Sequence, residues 1–141
     1  HAETQQAISY LGDAIDAEGA KAIWKRALAT QWGRAPVWLH GDVSAANLLL
    51  DQGSLNAVID FGSCGTGDPA CDLTLAWTFL SGKSRKQFST TLALDADTWA
   101  RARGWGLWKA LITLAAHRNS LTLKTLPAWQ VLQEVLQAEG F

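Results

Sequence analysis

The feature that most restricts this chain is a short hairpin framed by acids. Residues 47 to 51 (Asn-Leu-Leu-Leu-Asp) read as a strand, Gln52-Gly53-Ser54 as a turn, and residues 55 to 60 as the returning strand. A two-stranded hairpin brings its second end back beside its first. Asp60 is therefore expected next to Asn47, with Asp42 on the loop just before it. Residues 35 to 82 hold five Asp and no Lys or Arg, so three oxygen-bearing side chains converge with no cation near them in sequence. Carboxylates crowded in this way repel one another. A hard divalent cation relieves the repulsion, and magnesium typically takes one or two carboxylates together with substrate phosphates.

The rest of the chain reads as helices around that hairpin. Residues 3 to 16 place Ala7, Ile8, Leu11 and Ile15 at helical spacing, and residues 18 to 31 do the same with Ala22, Ile23, Ala27 and Leu28. Gly33 and Pro36 stop the second helix, and Val37-Trp38-Leu39 leads into His40. Gly62, Gly65 and Gly67 mark an irregular loop closed by Asp68-Pro69, where Asp68 has the character of a turn opener. Helices are predicted over 72–80 and 84–92. The segment 98–117, apolar almost all round after Gly104, reads as a core helix. Pro127 starts a last helix whose inner face is Val131, Leu132, Val135 and Leu136. Trp38, Trp77, Trp105 and Trp108, four of eight Trp, lie in apolar runs and are expected in the core. The fold class is α+β, mostly helical.

Bulk properties exclude several functions. A chain of 141 residues, 48% apolar and 18% charged, suits one globular domain. A net charge of −1 gives no reason to expect a nucleic-acid partner or an anionic membrane surface. The best candidate for a membrane span, residues 104–116, is interrupted by Lys109 and falls short of the roughly 18 apolar residues required. No secretory signal opens the chain, so a cytoplasmic location is expected. Cys64 and Cys71 lack metal-ligand spacing and read as small buried residues in a reducing compartment. The chain has no Met and starts at His1, so a piece of a longer protein is expected, and His1 is given no functional role.

The motifs resemble a known group. His40-Gly41-Asp42-Val43-Ser44-Ala45-Ala46-Asn47 is similar to the catalytic loop of the protein-kinase-like superfamily, in which a metal-binding Asn follows the Asp base by five positions. Ile59-Asp60-Phe61-Gly62 resembles its Asp-Phe-Gly metal motif. The His-Gly-Asp opening and Gly67-Asp68-Pro69-Ala70-Cys71-Asp72-Leu73 resemble the aminoglycoside phosphotransferase and choline kinase branch. Residues 97–99 through 109–111 are similar to bacterial members of that family. The resemblance implies the C-terminal lobe of a kinase-like fold. Its parts would be residues 37–73, carrying catalytic loop, hairpin and metal motif, and residues 74–141, a helical subdomain on the acceptor side. An N-terminal lobe that grips ATP is not seen before residue 37.

The resemblance also implies roles. Asp42 would accept or orient the proton of a substrate hydroxyl, and Asn47 and Asp60 would hold Mg2+ against the phosphates of ATP. His40 and Asp72 would brace the loop, with Asp68 at the following turn. Where protein kinases carry a Lys two positions after the Asp, this chain has Ser44, which favours a small-molecule acceptor, either a metabolite or an antibiotic. Residues 83–124 carry eight Lys or Arg against two Asp, a balance that favours a neutral or anionic acceptor over a polycationic aminoglycoside. His117 and Arg118 suit a helix C-terminus. Two other readings stay open. One is a nucleotide-binding pseudokinase. The other is an interaction domain that, parted from a missing lobe, dimerises or exchanges segments.

Overall fold

In the computed structural model, which describes residues 1–117 and 125–138, the chain is mostly helical with two small antiparallel sheets. It runs as α1 (Ala2–Leu11), α2 (Ala17–Leu28), β1 (Val37–Leu39), β2 (Leu48–Asp51), β3 (Ser54–Val58), β4 (Gly65–Gly67), α3 (Leu75–Thr78), α4 (Gly82–Leu92), α5 (Ala96–Ala116) and α6 (Thr125–Gln137). Tight 3-10 turns occupy Gly12–Ala14, Ala45–Asn47, Phe61–Ser63 and Pro69–Thr74.

Local chemistry sets most of the boundaries. The Asp16 carboxylate accepts from the Gly19 amide at 2.9 Å and starts α2, while Lys25 and Arg26 sit in its last turn, where cations suit the dipole. Asp95 starts α5 by accepting from the Thr98 amide at 2.8 Å and from its hydroxyl at 3.0 Å; the amide contact holds the Asp95 carboxyl below its ordinary range. Ser81 and Ser84 form a reciprocal cap on α4. Gln52 and Gly53, both at positive φ, make the tight turn between β2 and β3. Register shifts between Leu49 and Leu50, so Asn56 is the extra residue of a bulge.

The core forms around α5, which packs against α1, α2, α6 and the Pro69–Thr74 turn. Leu107, Leu111 and Leu114 of α5 are buried with Ile8 and Leu11 of α1 and Leu132 and Val135 of α6. Each such side chain contributes about 1.5–3 kcal/mol on burial. Arg101 is also buried, and each of its three guanidinium nitrogens has a partner: Nε donates to Asp68 at 2.6 Å, Nη2 to Thr98 at 3.1 Å and Nη1 to Thr30 at 3.2 Å. A buried cation so partnered is tolerated where an unpaired one would not be. Arg103 donates to the carbonyls of Val135 and Leu136 and closes the last turn of α6; burial lowers its pKa without removing its charge.

Several expectations change. The helix read over 72–80 begins instead as a 3-10 turn at Pro69, with α3 only from Leu75, because Asp68 caps the chain earlier. The glycine loop contains a strand: Gly65, Thr66 and Gly67 pair with Leu39, Trp38 and Val37. Trp38 is not in the core but 80% exposed, and Trp105 is 44% exposed; Trp77 is buried and Trp108 half-buried. On α2, Ala27 is buried and Ile23 half-buried as expected, but Ala22 and Leu28 face solvent and Ala20 is buried as well. Arg118 and Lys124 lie outside the described residues. No helix among the described residues is long and apolar enough to cross a membrane.

The α2–α5 contact depends on Gly104. A Cβ built there would lie 2.4 Å from the Ala27 Cβ, closer than two carbons approach. Gly104→Ala is expected to push the helices apart and cost about 1–3 kcal/mol despite the better helix propensity of Ala, read as a lowered urea midpoint.

Candidate active site

The site begins where β1 delivers the chain to His40, a buried ring. Its Nδ1 accepts from the Asp42 amide at 3.3 Å, which leaves Nε2 to carry the hydrogen and donate to the Ile59 carbonyl at 2.8 Å. The imidazole thus ties the loop to the far end of the hairpin, and the Phe61 ring packs on it with centroids 4.6 Å apart. From the other side the Asp72 carboxylate accepts from the His40 amide at 2.6 Å and the Gly41 amide at 2.9 Å. Gly41 has φ +83°, and a Cβ on it would sit 2.2 Å from the Ser63 carbonyl oxygen, so only glycine fits there.

Asn47 ends the Ala45–Asn47 turn and is buried. Its side-chain amide nitrogen donates to the Asp42 carbonyl at 2.9 Å, which leaves the amide oxygen as its ligand atom. The Ile59 amide donates to the Asn47 carbonyl at 3.0 Å, so the hairpin closes with residue 59 beside residue 47 and Asp60 follows directly. Asp60 has φ 64° and ψ 59°, a left-handed conformation that costs a non-glycine residue about 1 kcal/mol or more and recurs at functional sites. It turns the chain out of the hairpin into the Phe61–Ser63 turn, with its side chain exposed. One amide oxygen and one carboxylate are hard donors that fit magnesium, with phosphate and water oxygens needed to fill the remaining positions. No group of three or more His, Cys, Asp or Glu suited to a metal occurs among the described residues.

Sequence reasoning missed Lys109. Nothing in the sequence assigns it to the site, yet its ammonium lies 3.0 Å from Asp42 Oδ1, across 67 residues of chain. The acidic stretch therefore does not stand without a cation, since α5 supplies one. Lys109 and Asp42 share a cavity of about 540 Å3 between α5 and the loop, whose wall includes neither Asn47 nor Asp60. Asp68 keeps the turn position read from Asp-Pro: it accepts from the Ala70 amide at 3.1 Å and pairs with Arg101. His117 contacts the Thr113 carbonyl at 2.9 Å at the end of α5. Cys64 is exposed rather than buried, because residues 61–64 turn outward after Asp60.

Comparison with known proteins adds the following. Residues 2–105 match the family model described as the phosphotransferase enzyme family. Among solved structures, the chain is similar to the apo form of a thermostable mutant of aminoglycoside phosphotransferase APH(4)-Ia, at 18% identity and a TM-score of 0.54. The match covers 92% of this chain and 46% of that one, so this chain spans about half the length of that structural neighbour. At that identity the likeness establishes the kinase-like fold. The comparison with curated proteins returns no match.

The two cysteines offer a check on the loop. Cys71 Sγ lies 3.8 Å from both Asp72 Oδ1 and the Asp68 carbonyl, and burial, followed by the charge of Asp72, pushes its thiol up to about 11. Since the thiolate is the reactive form, Cys71 should resist iodoacetamide at neutral pH and react only as pH rises toward that value, while exposed Cys64 is alkylated first. Peptide mapping after alkylation at stepped pH reads both.

Proposed function

Because the chain belongs to the phosphotransferase enzyme family, we propose that it supplies the base and metal half of a site that moves the γ-phosphate of ATP to a hydroxyl of a small molecule. The observation that carries this reading is the hydrogen bond from Asn47 to the Asp42 carbonyl together with the closure of the hairpin at Ile59. These two contacts bring the three candidate residues onto one loop-and-hairpin unit.

In this reading Asp42 orients the acceptor hydroxyl and receives its proton as the oxygen attacks phosphorus. The Asn47 amide oxygen and the Asp60 carboxylate would hold Mg2+. Bound there, the ion neutralises charge on the phosphates. The transition state of phosphoryl transfer is loose, so position and electrostatics dominate over covalent work. His40 and Asp72 act by holding the loop: two amide bonds from Asp72 and two ring contacts from His40 fix the backbone on both sides of Asp42. The helices from residue 75 onward form the acceptor side. Gripping ATP calls for contacts beyond those this half provides, and the 141-residue chain by itself should turn over poorly.

A second reading, association with another copy of the chain, is favoured by apolar side chains left exposed on the strands and the metal motif: Trp38, Leu49, Leu50, Leu55, Ile59 and Phe61. Patches of this kind mark interaction surfaces.

The test of the first reading is transfer of labelled γ-phosphate from ATP to a panel of alcohols by the natural reading frame that contains this chain. Asp42→Asn should lower kcat by about 10²–10⁴ while leaving the KM for ATP nearly unchanged. Asn47→Ala and Asp60→Ala should raise the magnesium concentration needed for half-maximal rate. They should also weaken Mn2+ binding by the isolated chain, measured by electron spin resonance. Full activity in Asp42→Asn would refute the assignment. For the second reading, sedimentation of the isolated chain should show a concentration-dependent dimer that Trp38→Lys reduces; a monomer at every concentration rejects it.

A further inference from the structure

The cavity beside Asp42 is lined by one face of α5. Trp105, Trp108, Lys109 and Ile112 fall at i, i+3, i+4 and i+7, the spacing of a stripe that ordinarily packs into a core. Here the stripe fronts about 540 Å3 of open space, a volume in the range of small-molecule sites. The rings of Trp105 and Trp108 meet edge to face, at 5.4 Å between centroids and 85° between planes. The Trp108 indole N–H donates to Glu3 of α1 at 3.0 Å, which fixes that ring and occupies the Glu3 carboxylate away from the cavity wall. Trp105 has no comparable tether and is 44% exposed.

The charge of this space is narrowly defined. Among the described lining residues, Asp42 is the one carboxylate and Lys109 the one cation, and they already face each other at 3.0 Å. The remaining wall is aliphatic, aromatic, hydroxyl or thiol in character, and Leu39 and Val43 add apolar surface to the Trp pair. A polycationic acceptor would find one carboxylate, already matched, and an ammonium repelling it. A ligand with a flat apolar face would find an accessible indole, since aromatic faces bind such surfaces well. A single negative charge would find Lys109, whose side chain is more than half exposed.

We propose that this cavity takes a neutral or singly anionic alcohol with a flat apolar face, Trp105 serving as the platform and Lys109 as the residue that selects for charge. The assignment rests on the reading of Asp42 as the group that receives the acceptor's proton. It makes Lys109 a specificity-determining residue that holds Asp42 in place until the acceptor arrives.

The test is a binding titration of the 141-residue chain, followed through the indole N–H resonances, with three probes: phenyl β-glucoside (neutral), phenyl β-glucuronide (one negative charge) and kanamycin (a polycation). The two phenyl glycosides should bind at least about tenfold more tightly than kanamycin. Lys109→Gln should weaken the glucuronide by about two- to fivefold and leave the glucoside unchanged. Trp105→Ala should weaken both glycosides, and Trp105→Phe should restore part of the loss. An unchanged melting temperature shows that these exposed-site variants still fold. Kanamycin binding as tightly as the glycosides, no saturation by any probe at millimolar concentration, or no effect of Lys109→Gln on the glucuronide would overturn the assignment. A protein that phosphorylates kanamycin by preference keeps the phosphotransfer reading and loses this one; a chain that binds the glycosides while its parent protein transfers no phosphate does the reverse.

Discussion

The position of the Asp42 loop is inherited from the core through one carboxylate. Asp72 receives two consecutive amides, His40 at 2.6 Å and Gly41 at 2.9 Å, one on each oxygen. Hydrogen bonds to an ionised acceptor are shorter and stronger than neutral ones, and two from one carboxylate also fix orientation. Asp72 itself is anchored to the core because its turn, Pro69–Thr74, packs Ala70 and Leu73 into the cluster around α5. Asp68, which opens that turn, is held by the buried Arg101 of the same helix. A path of short contacts therefore runs from the core helix to the turn, from the turn to Asp72, and from Asp72 to the loop. The polar site needs no rigidity of its own.

The helix α5 does two jobs on different faces. One face buries Leu107, Leu111 and Leu114, and the other presents Trp105 and Lys109 to the space beside Asp42. Because a helix is a rigid rod with fixed residue spacing, packing that places the buried leucines also places the lysine. Core and site are thus one mechanical object, and the mostly uncharged surface of the cavity follows from the same apolar helix that makes the core.

What could be read from the sequence was what local chemistry decides. The ends of the hairpin, the five-residue step from Asp42 to Asn47, the last helix and the start of α4 near Ser84 all follow from neighbours within a few residues, and the family resemblance drew on the same local patterns. What escaped depends on distant partners. Lys109 meets Asp42 across 67 residues, and nothing in its own neighbourhood, an apolar helix, signals a polar contact. The strand at Gly65–Gly67 has the composition of a loop and exists because β1 lies alongside to pair with it. Trp38 sits in an apolar run that reads as core, but the two-stranded sheet it belongs to has no layer over its outer side among the described residues. The inner face of α2 is legible at Ile23 and Ala27 but not at Ala22 and Leu28, because the close approach allowed by Gly104 of α5 turns the Ala27 and Trp24 side of the helix inward.

Gly41 carries a last consequence. The atom that excludes a side chain there is the carbonyl oxygen of Ser63, a backbone atom that every residue possesses. The restriction is therefore one-sided. Position 63 could vary without relieving it, whereas position 41 admits one amino acid for as long as the two segments stay in contact. Among descendants of this sequence, a replacement at 41 would record that the segment after Asp60 had already moved away, so the residue serves as a historical marker of whether the two halves of the site still touch.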